Sequence, residues 1–299
     1  MKTLISMVAF GNLPFTKLAI QSVKDTCHYE YGLFVVNGKN SDTDTTRYLQ
    51  ENNIPYIIHE ENKGFPASVN DIYDYAWKEN DYDYLIIMGN DVIAYPDSID
   101  KLIETAFTTD YEAISTGEYS VKTLYEEHPE FRNLINPNHN YMLHNLNTPI
   151  WNVFSNPKEF HIDNGLIDIH NLALYKKSVF EKVGYIDVNF FPAYFEDDDY
   201  VRRMMLSNIK DGTINRFYFH FWSRTIHQGS GGSDNKFFEN NRNFMLAKWG
   251  GLTHHWKYEK PFNGNVYPLT NGLDLPPDIN IQSRHLEPHI IYYWKSRHG

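Results

Sequence analysis

The sequence predicts an α/β fold with a mostly parallel, Rossmann-like sheet and helices on both of its faces. Short apolar segments, which are typical of buried strands, alternate with segments whose apolar residues recur at helical spacing. The alternation runs from the N-terminus to Gly117, and residues that favour turns follow most of the apolar segments. Strands that alternate with helices usually build a parallel sheet that the helices cover.

The predicted elements follow in order along the chain. Strands are predicted at Leu4–Ala9, Leu33–Val36, Ile54–Ile58, Leu85–Met88, Ala113–Ser115 and Ile167–Tyr175. Pro14 suits the first turn of one helix, and Asp42 suits the cap of the next. Further helices are predicted at Phe65–Trp77, Ser98–Phe107 and Lys177–Val183.

Two segments interrupt or follow this pattern. Residues 118–160 are rich in Asn, Pro, His and Tyr and show no period. Long irregular segments inside a domain are often binding loops, so we expect this one, with the loop at 229–235, to act as a lid. The tail ends in an apolar stretch, Ile290–Trp294, which we expect to pack on the domain.

The composition disfavours several classes of protein. A net charge of −11 argues against general nucleic-acid binding, although residues 207–299 carry 11 Lys and Arg against 7 Asp and Glu. No apolar run approaches the roughly 20 residues of a membrane span. The single cysteine, Cys27, forms neither an internal disulfide nor a cysteine-based zinc site. The N-terminus enters a strand without a signal-peptide pattern, so we expect a cytoplasmic location.

An amide and a carboxylate, Asn90 and Asp91, directly follow the apolar strand that ends at Met88 and Gly89. Gly, Asn and Asp favour turns for local reasons, so an ordinary turn explains this stretch. The tips of strands in open α/β sheets are also where ligands bind, and a carboxylate there can hold Mg²⁺ or Mn²⁺.

Four consecutive carboxylates, Glu196–Asp199, begin a predicted helix. Negative charge at a helix N-terminus is favourable, which is the structural explanation. The aromatic run Asn189–Phe195 before them predicts an apolar wall, which raises a carboxyl pKa toward the range of a general base. Asp198 and Asp199 are expected to cap the helix or to pair with Arg202 and Arg203.

Two glycine-containing loops complete the candidate site. His227 precedes the loop Gly229–Ser233, and its imidazole is a candidate second ligand for a metal held by Asp91. Gly64 follows Lys63 at the start of a predicted helix, where anions commonly bind.

Taken together, these motifs resemble the inverting family 2 glycosyltransferases, which have the GT-A fold. Six matches occur in the family's order over roughly residues 3–250: Ser6–Phe10 in the first strand; Val35–Gly38 with Ser41–Asp42; Asn62–Phe65 with Asn70; Met88–Val92; Val183–Asp187 with Phe195–Asp199 and Arg202; and His227–Ser230 with Asn243–Gly250. The chain departs from the family where Asn37 replaces an acid and where Gly89-Asn90-Asp91 keeps one carboxylate.

The resemblance implies a nucleotide-diphosphate sugar as donor, Mn²⁺ or Mg²⁺ as cofactor, and an acceptor hydroxyl. It implies a nucleotide-sugar-binding half at 1–117, an acceptor and catalytic half of the same domain at 118–250, and a C-terminal acceptor-side extension at 251–299. Asp197, or else Glu196, is the expected catalytic base, and Asp91 with His227 the expected metal ligands. The expected donor-binding residues are Ala9, Asn37, Asp42, Lys63, Gly64, Asn70, Asn90 and Asp91.

The acceptor remains open between several classes. A glycan or lipid-linked sugar is the expectation from the resemblance. A phage-type DNA glycosyltransferase acting on a hydroxymethylated base is the first alternative, with a basic aromatic face formed by Arg216, Arg224, Lys236, Arg242, Lys248, Trp249 and Lys257. A module that binds nucleotide or sugar without catalysis is the second, and its sign would be loss of Asp91, Asp197 or His227, all of which are present.

Overall fold

The structure is a computed structural model that describes residues 2–38, 42–120, 156–165, 169–220 and 235–264, with short pieces between 125 and 143. The first half alternates strands and helices: β1 (Thr3–Ala9), α1 (Leu13–Thr26), β2 (Tyr31–Asn37), α2 (Thr43–Glu51), β3 (Tyr56–Ile58), α3 (Gly64–Asp74), β4 (Tyr84–Gly89), β5 (Val92–Ala94), α4 (Ser98–Thr108) and β6 (Ala113–Ser120). The second half contains β7 (Ile135–Asn136), β8 (Met142–Leu143), β9 (Ile162–Asn164), β10 (Ala173–Lys176), α5 (Lys177–Val183), α6 (Glu196–Leu206), β11 (Asp211–His220) and α7 (Asn235–Trp249).

One sheet joins the two halves of the chain in the order β3-β2-β1-β4-β10-β6-β11-β5, with β9 beside β11. Strands β3, β2, β1 and β4 are parallel, and so are β6 and β11. Strand β10 runs antiparallel between β4 and β6, and β5 runs antiparallel to β11. The predicted fold class, α/β with a mostly parallel sheet, is confirmed.

Helices cover both faces of the sheet because the side chains of a strand alternate between its two faces. Ile5 and Met7 of β1 belong to one core, which also contains buried residues of α1, α2 and α4. Leu4 and Val8 belong to the other core, with buried residues of α3, α5 and α6. Both cores are built from residues that are almost fully buried, which is the reason that the apolar pattern of the first half predicts the elements well.

The strand predicted at Ile167–Tyr175 is wrong in its first part. Residues 169–172 form bends, and the strand begins only at Ala173. His170 and Leu172 have left-handed backbone conformations with φ of 68° and 56°, which a strand does not tolerate. Most of the predicted lid at 118–160, nearly all of the loop at 229–235 and the tail from residue 265 lie outside the described residues.

A buried network of charges connects α6 to the segment before it and to α7. Lys248 Nζ lies 2.7 Å from Asp187 Oδ2 and 2.6 Å from Asp199 Oδ1. Asp199 also accepts hydrogen bonds from Arg203 Nε at 2.9 Å and from Trp249 Nε1 at 2.8 Å. All five residues are buried. The lysine and tryptophan of the motif Lys248-Trp249-Gly250 therefore hold Asp199, the last of the four consecutive acids of α6, in place.

The ionic state of each residue in this network is fixed by the residues that it contacts. Burial alone would raise the pKa of Asp187, but the charge and hydrogen bond of Lys248 hold it below its usual value. Arg203 Nη1 donates to the carbonyl oxygens of Val183 and Tyr185, at 3.1 and 2.8 Å, so the end of α5 is bound to the same cluster. The start of α6 is thereby fixed from three sides.

No helix in the described part of the chain is long and apolar enough to cross a membrane.

Replacing Lys248 by methionine should destabilise the protein by roughly 3–5 kcal/mol, because removing one partner leaves buried carboxylates without their counter-charge. Urea denaturation measures this change, with Lys257→Met as the control because Lys257 is exposed. A loss below about 1 kcal/mol, the range of a surface ion pair, would show that the network does not carry the stability assigned to it.

Candidate functional site

A cleft of about 420 Å³ opens at the carboxyl ends of β1 and β4. Its wall includes Val8, Phe10, Gly64, Asp91, His170, Glu196, Asp197 and His220. The carboxyl ends of parallel strands are the usual location of ligands in α/β folds. The cleft therefore brings together the strand-tip carboxylate and the acidic helix start, which are far apart in the chain.

Asp91 lies in the turn between β4 and β5 and is 2% exposed. Its Oδ1 atom is 3.4 Å from Nε2 of His220, the last residue of β11. The antiparallel pairing of β5 with β11, which sets Val92 opposite His220, brings the two side chains together. On its other side, His220 Nδ1 lies 3.8 Å from Glu118 Oε1. A carboxylate, an imidazole and a second carboxylate thus form a row, of which Asp91 and His220 line the cleft.

Asp91 offers the carboxylate oxygen that suits Mn²⁺ or Mg²⁺, and His220 places an imidazole nitrogen beside it at the cleft wall. Among the described residues, no group of three or more His, Cys, Asp or Glu side chains is close enough to enclose a metal by itself. Asp91 and His220 therefore fit a cation only as part of a site that is completed by a ligand. His227, the second metal ligand expected from the sequence, lies outside the described residues.

His220 is a site residue that the sequence reasoning missed. Its signal was a polar residue at the end of an otherwise aromatic strand, Phe217–Phe219, but its partner across the sheet depends on a long-range pairing. Such a pairing cannot be deduced from local periodicity.

The two first acids of α6 face the cleft, and their environments differ. Glu196 is 6% exposed, and its Oε2 atom has no hydrogen-bond partner in the part of the chain that the structure describes. Burial, followed by the negative charge of Asp197, raises the pKa of Glu196 well above its ordinary value. Asp197 is exposed at the wall of the cleft. One buried carboxyl group that favours its neutral form therefore lies beside an accessible carboxylate.

The two remaining acids serve the fold. Asp199 pairs with Arg203, as the helical spacing predicts, and joins the buried network. Asp198 accepts a hydrogen bond from the hydroxyl group of Thr253, and Arg202 donates instead to the carbonyl oxygen of Tyr258. The four consecutive acids are thus divided between the cleft and the scaffold.

Two asparagines expected to bind the donor make structural hydrogen bonds. Asn90 Nδ2 donates to the carbonyl oxygen of Gly11 and to the hydroxyl group of Thr16, at 3.1 and 3.0 Å. Asn70 donates to the carbonyl oxygen of Ile186 at 2.9 Å and accepts from its amide at 2.8 Å. Neither side chain is part of the cleft wall. Each holds a neighbouring loop of the site in place.

Three further residues expected to bind the donor lie beside the cleft rather than on its wall. Asn37 is fully buried and donates to the carbonyl oxygen of Asp42 and to the hydroxyl group of Thr46. Asp42 caps α2 by accepting from the amide of Thr45 at 3.1 Å, as predicted. Ala9 is buried, and its carbonyl oxygen accepts from the amide of Gly38.

Gly64 is on the cleft wall, whereas its neighbour Lys63 is exposed and is not. The amide of Gly64 donates to Asn62 Oδ1, and that of Phe65 donates to the carbonyl oxygen of Pro192 at 2.7 Å. The first amides of α3 are therefore used within the protein. Gly64 has a φ of 84°, and a Cβ atom there would lie 2.9 Å from the Pro192 oxygen, so only glycine fits this close approach.

Several residues of the basic face proposed to bind DNA are buried in the structure. Arg216 is buried and its Nε lies 3.1 Å from Asp97 Oδ1. Lys248 and Trp249 are enclosed in the charge network. Arg224 lies outside the described residues. Burial in the protein interior removes Arg216, Lys248 and Trp249 from any contact with phosphates.

The family model of glycosyl transferase family 2 matches residues 5–184. The chain belongs to glycosyl transferase family 2. This match includes the strand-tip Asp91 and ends just before the acidic helix α6.

Two solved structures share the fold of this family 2 chain. The mannosyltransferase PcManGT from Pyrobaculum calidifontis, in complex with GDP-Man and Mn²⁺, is 11% identical with a TM-score of 0.51, covering 82% of this chain and 61% of that one. Residues 1–349 of S. aureus TarS are 11% identical with a TM-score of 0.52, covering 76% and 63%. The chain thus spans less than two thirds of either structure. A search of curated proteins gave no match.

The raised pKa of Glu196 predicts a specific pH dependence of stability. The folded protein keeps the proton of this group above its ordinary pKa of 4.5, whereas the unfolded chain releases it. Stability contributed by the neutral form therefore falls as the pH rises from 4.5 through the folded pKa. Glu196→Gln removes this loss, so its melting temperature should gain on that of the parent as the pH rises above about 5. A difference in melting temperature between the two proteins that does not change with pH would contradict the assignment.

Proposed function

We propose that the protein transfers a sugar from a nucleotide-diphosphate sugar to an acceptor hydroxyl with inversion at the anomeric carbon. The observation that carries the proposal is the single cleft that Asp91, Glu196 and Asp197 all line. Glycosyl transfer needs stabilisation of a leaving diphosphate and removal of a proton from the acceptor. One cleft with a cation-binding end and a basic end meets both requirements.

We assign the cation-binding end to Asp91 and His220. A divalent cation held there would neutralise the charge that develops on the leaving diphosphate. The complex of PcManGT with GDP-Man and Mn²⁺ supports this choice of donor class and cofactor. Glu118 Oε1, 3.8 Å from His220 Nδ1, adds a negative charge near the imidazole but is too distant for a hydrogen bond to it.

The transfer step itself requires no nucleophilic residue of the protein. The acceptor hydroxyl attacks the anomeric carbon while the bond from that carbon to the diphosphate oxygen breaks, and the diphosphate leaves with the electron pair. The hydroxyl proton passes to Asp197, which is the accessible carboxylate of the pair. Glu196, whose pKa is raised by burial, supplies a neutral polar group beside it. A single displacement of this kind inverts the configuration.

A glycan or lipid-linked sugar is the acceptor that the site favours. The acid pair lies beside the aromatic side chains of Tyr194, Phe195 and Phe238, whose ring centroids are 5.1–5.4 Å apart in two pairs with Phe238. Phe238 is 40% exposed and borders the cleft, so it offers a flat apolar surface of the kind that packs against the faces of sugar rings. DNA is the weaker candidate, because three members of its basic face are buried.

Asp91→Ala should abolish the Mn²⁺-dependent part of nucleoside diphosphate binding while leaving the fold intact, because this carboxylate faces the cleft. Isothermal titration with GDP and UDP, with and without Mn²⁺, measures the effect. Asp44→Ala, on the exposed surface of α2, is the matched control. Metal-dependent binding that persists in Asp91→Ala at the parent level would remove Asp91 from the site.

Asp197→Asn should keep donor affinity but lose transfer by about 10²–10⁴-fold, the usual contribution of a general base. Glu196→Gln is the necessary comparison, because the two acids are adjacent and both face the cleft. Initial rates at saturating donor separate them. If Glu196→Gln is inactive while Asp197→Asn transfers at the parent rate, the general base is Glu196 and not Asp197. If both variants stay active, the acidic pair is not the base.

A further inference from the structure

Asn171 is a polar residue of the cleft wall that the transfer step does not use. It lies in the bends just before β10 and is half-buried. Ala173 of β10 pairs with Ile87 of β4 in antiparallel register, and the same register continued toward the strand tip sets Asn171 opposite Gly89. The side chains of directly opposed residues point to the same face of a sheet. Asn171 therefore lies at the strand tip that leads to Asp91.

Gly89 has no side chain, and two oxygen atoms lie close to where one would begin. A Cβ atom built on Gly89 would be 3.0 Å from Oδ1 of Asp91 and 3.4 Å from Oδ1 of Asn171. Gly89, Asp91 and Asn171 all line the cleft, so both oxygens are within reach of a ligand there. His220 lines it too, with Nε2 3.4 Å from the same Oδ1 atom of Asp91. A carboxylate oxygen, an amide oxygen and an imidazole nitrogen thus lie around one part of the cleft.

The side-chain amide of Asn171 is available to a ligand. Among the described residues it makes no hydrogen bond, although the residue is half-buried. The residues on either side of it, His170 and Leu172, are buried and have left-handed backbone conformations with φ of 68° and 56°. Residues other than glycine rarely adopt this conformation, and such strain concentrates at functional sites. The backbone thus holds an uncommitted amide at the cleft wall.

We propose that Asn171 is a third protein ligand of the cation assigned to Asp91 and His220, and that it binds through its side-chain oxygen. The inference rests on the cation-assisted transfer proposed for this cleft. Carboxylate and carbonyl oxygens are the ligands that suit Mn²⁺ and Mg²⁺. The turn after β4 supplies one carboxylate, Asp91, so a further protein oxygen has to come from another segment. A neutral amide adds that oxygen without adding negative charge beside the diphosphate.

Mn²⁺ binding by the full chain in the presence of GDP or UDP tests this role. The electron paramagnetic resonance signal of the free ion measures it, corrected for the ion that the nucleotide alone binds. Asn171→Ala should weaken Mn²⁺ binding by about tenfold or more, since loss of a group that only supports a metal ligand already costs about 10–100-fold. Asn171→Asp should bind Mn²⁺ more tightly than the parent, because affinity for hard cations rises with the charge of the ligands.

A cysteine at this position separates coordination from a general effect of charge. Asn171→Cys replaces an oxygen with a soft sulfur, so it should bind Mn²⁺ weakly and Cd²⁺ at least about tenfold more tightly than the parent does. Isothermal titration with Cd²⁺ measures this gain. Ala193→Cys, on the loop before α6, is the matched control, because it also places a thiol on the cleft wall and should show no such gain. Melting temperatures without metal show that each variant is folded.

The possible failures point to different parts of the account. Unchanged Mn²⁺ binding in Asn171→Ala, or equal Cd²⁺ affinity of the two cysteine variants, would overturn the role of Asn171 alone. Weaker binding by Asn171→Asp would overturn it too, because it would show that the amide donates its hydrogens to the diphosphate instead. A parent protein that binds no Mn²⁺ with either nucleotide would overturn the cation site of the proposed function itself.

Discussion

The site depends on a buried lysine. Lys248 bridges Asp187 and Asp199, and through Asp199 it fixes the start of α6 against α7. Burying ionised groups is costly, and such a cluster holds only when every member has partners in good geometry. Here the partners come from three segments of the chain. The result of this network is a defined orientation of the first turn of α6, where Glu196 and Asp197 line the cleft.

The polar residues in and around the cleft fall into two groups according to what their side chains bind. Asn70 and Asn90 use their amides to bind backbone of adjacent loops, and they shape the cleft without reaching into it. Asp91 and His220 reach the wall from neighbouring strand ends, and the acid pair reaches it from a helix start. The rigid sheet and the charge network hold both sets of groups in the lining of one cavity. A donor and an acceptor that meet in this cavity would find both the candidate cation ligands and the candidate base in its lining.

Local pattern was sufficient to predict the first half of the fold, because β1, β4 and the end of β2 are buried on both faces and are largely apolar. Asp91 and the acidic helix start were also readable, since both stand out in the sequence. His220 was not, because its place beside Asp91 arises from the antiparallel pairing of β5 with β11. The burial of Lys248 was equally hidden, since a lysine is normally exposed and its partners lie in distant segments.

Thermal melting of the full chain with nucleotide sugars tests the central claim most directly. A ligand that binds only the folded state raises the melting temperature in proportion to the logarithm of its concentration over its dissociation constant. At least one nucleotide-diphosphate sugar should raise the melting temperature, and the rise should be larger in Mn²⁺ than in EDTA. If no nucleotide sugar and no nucleoside diphosphate shifts the transition in either condition, the cleft is not a donor site and the proposed transfer is wrong.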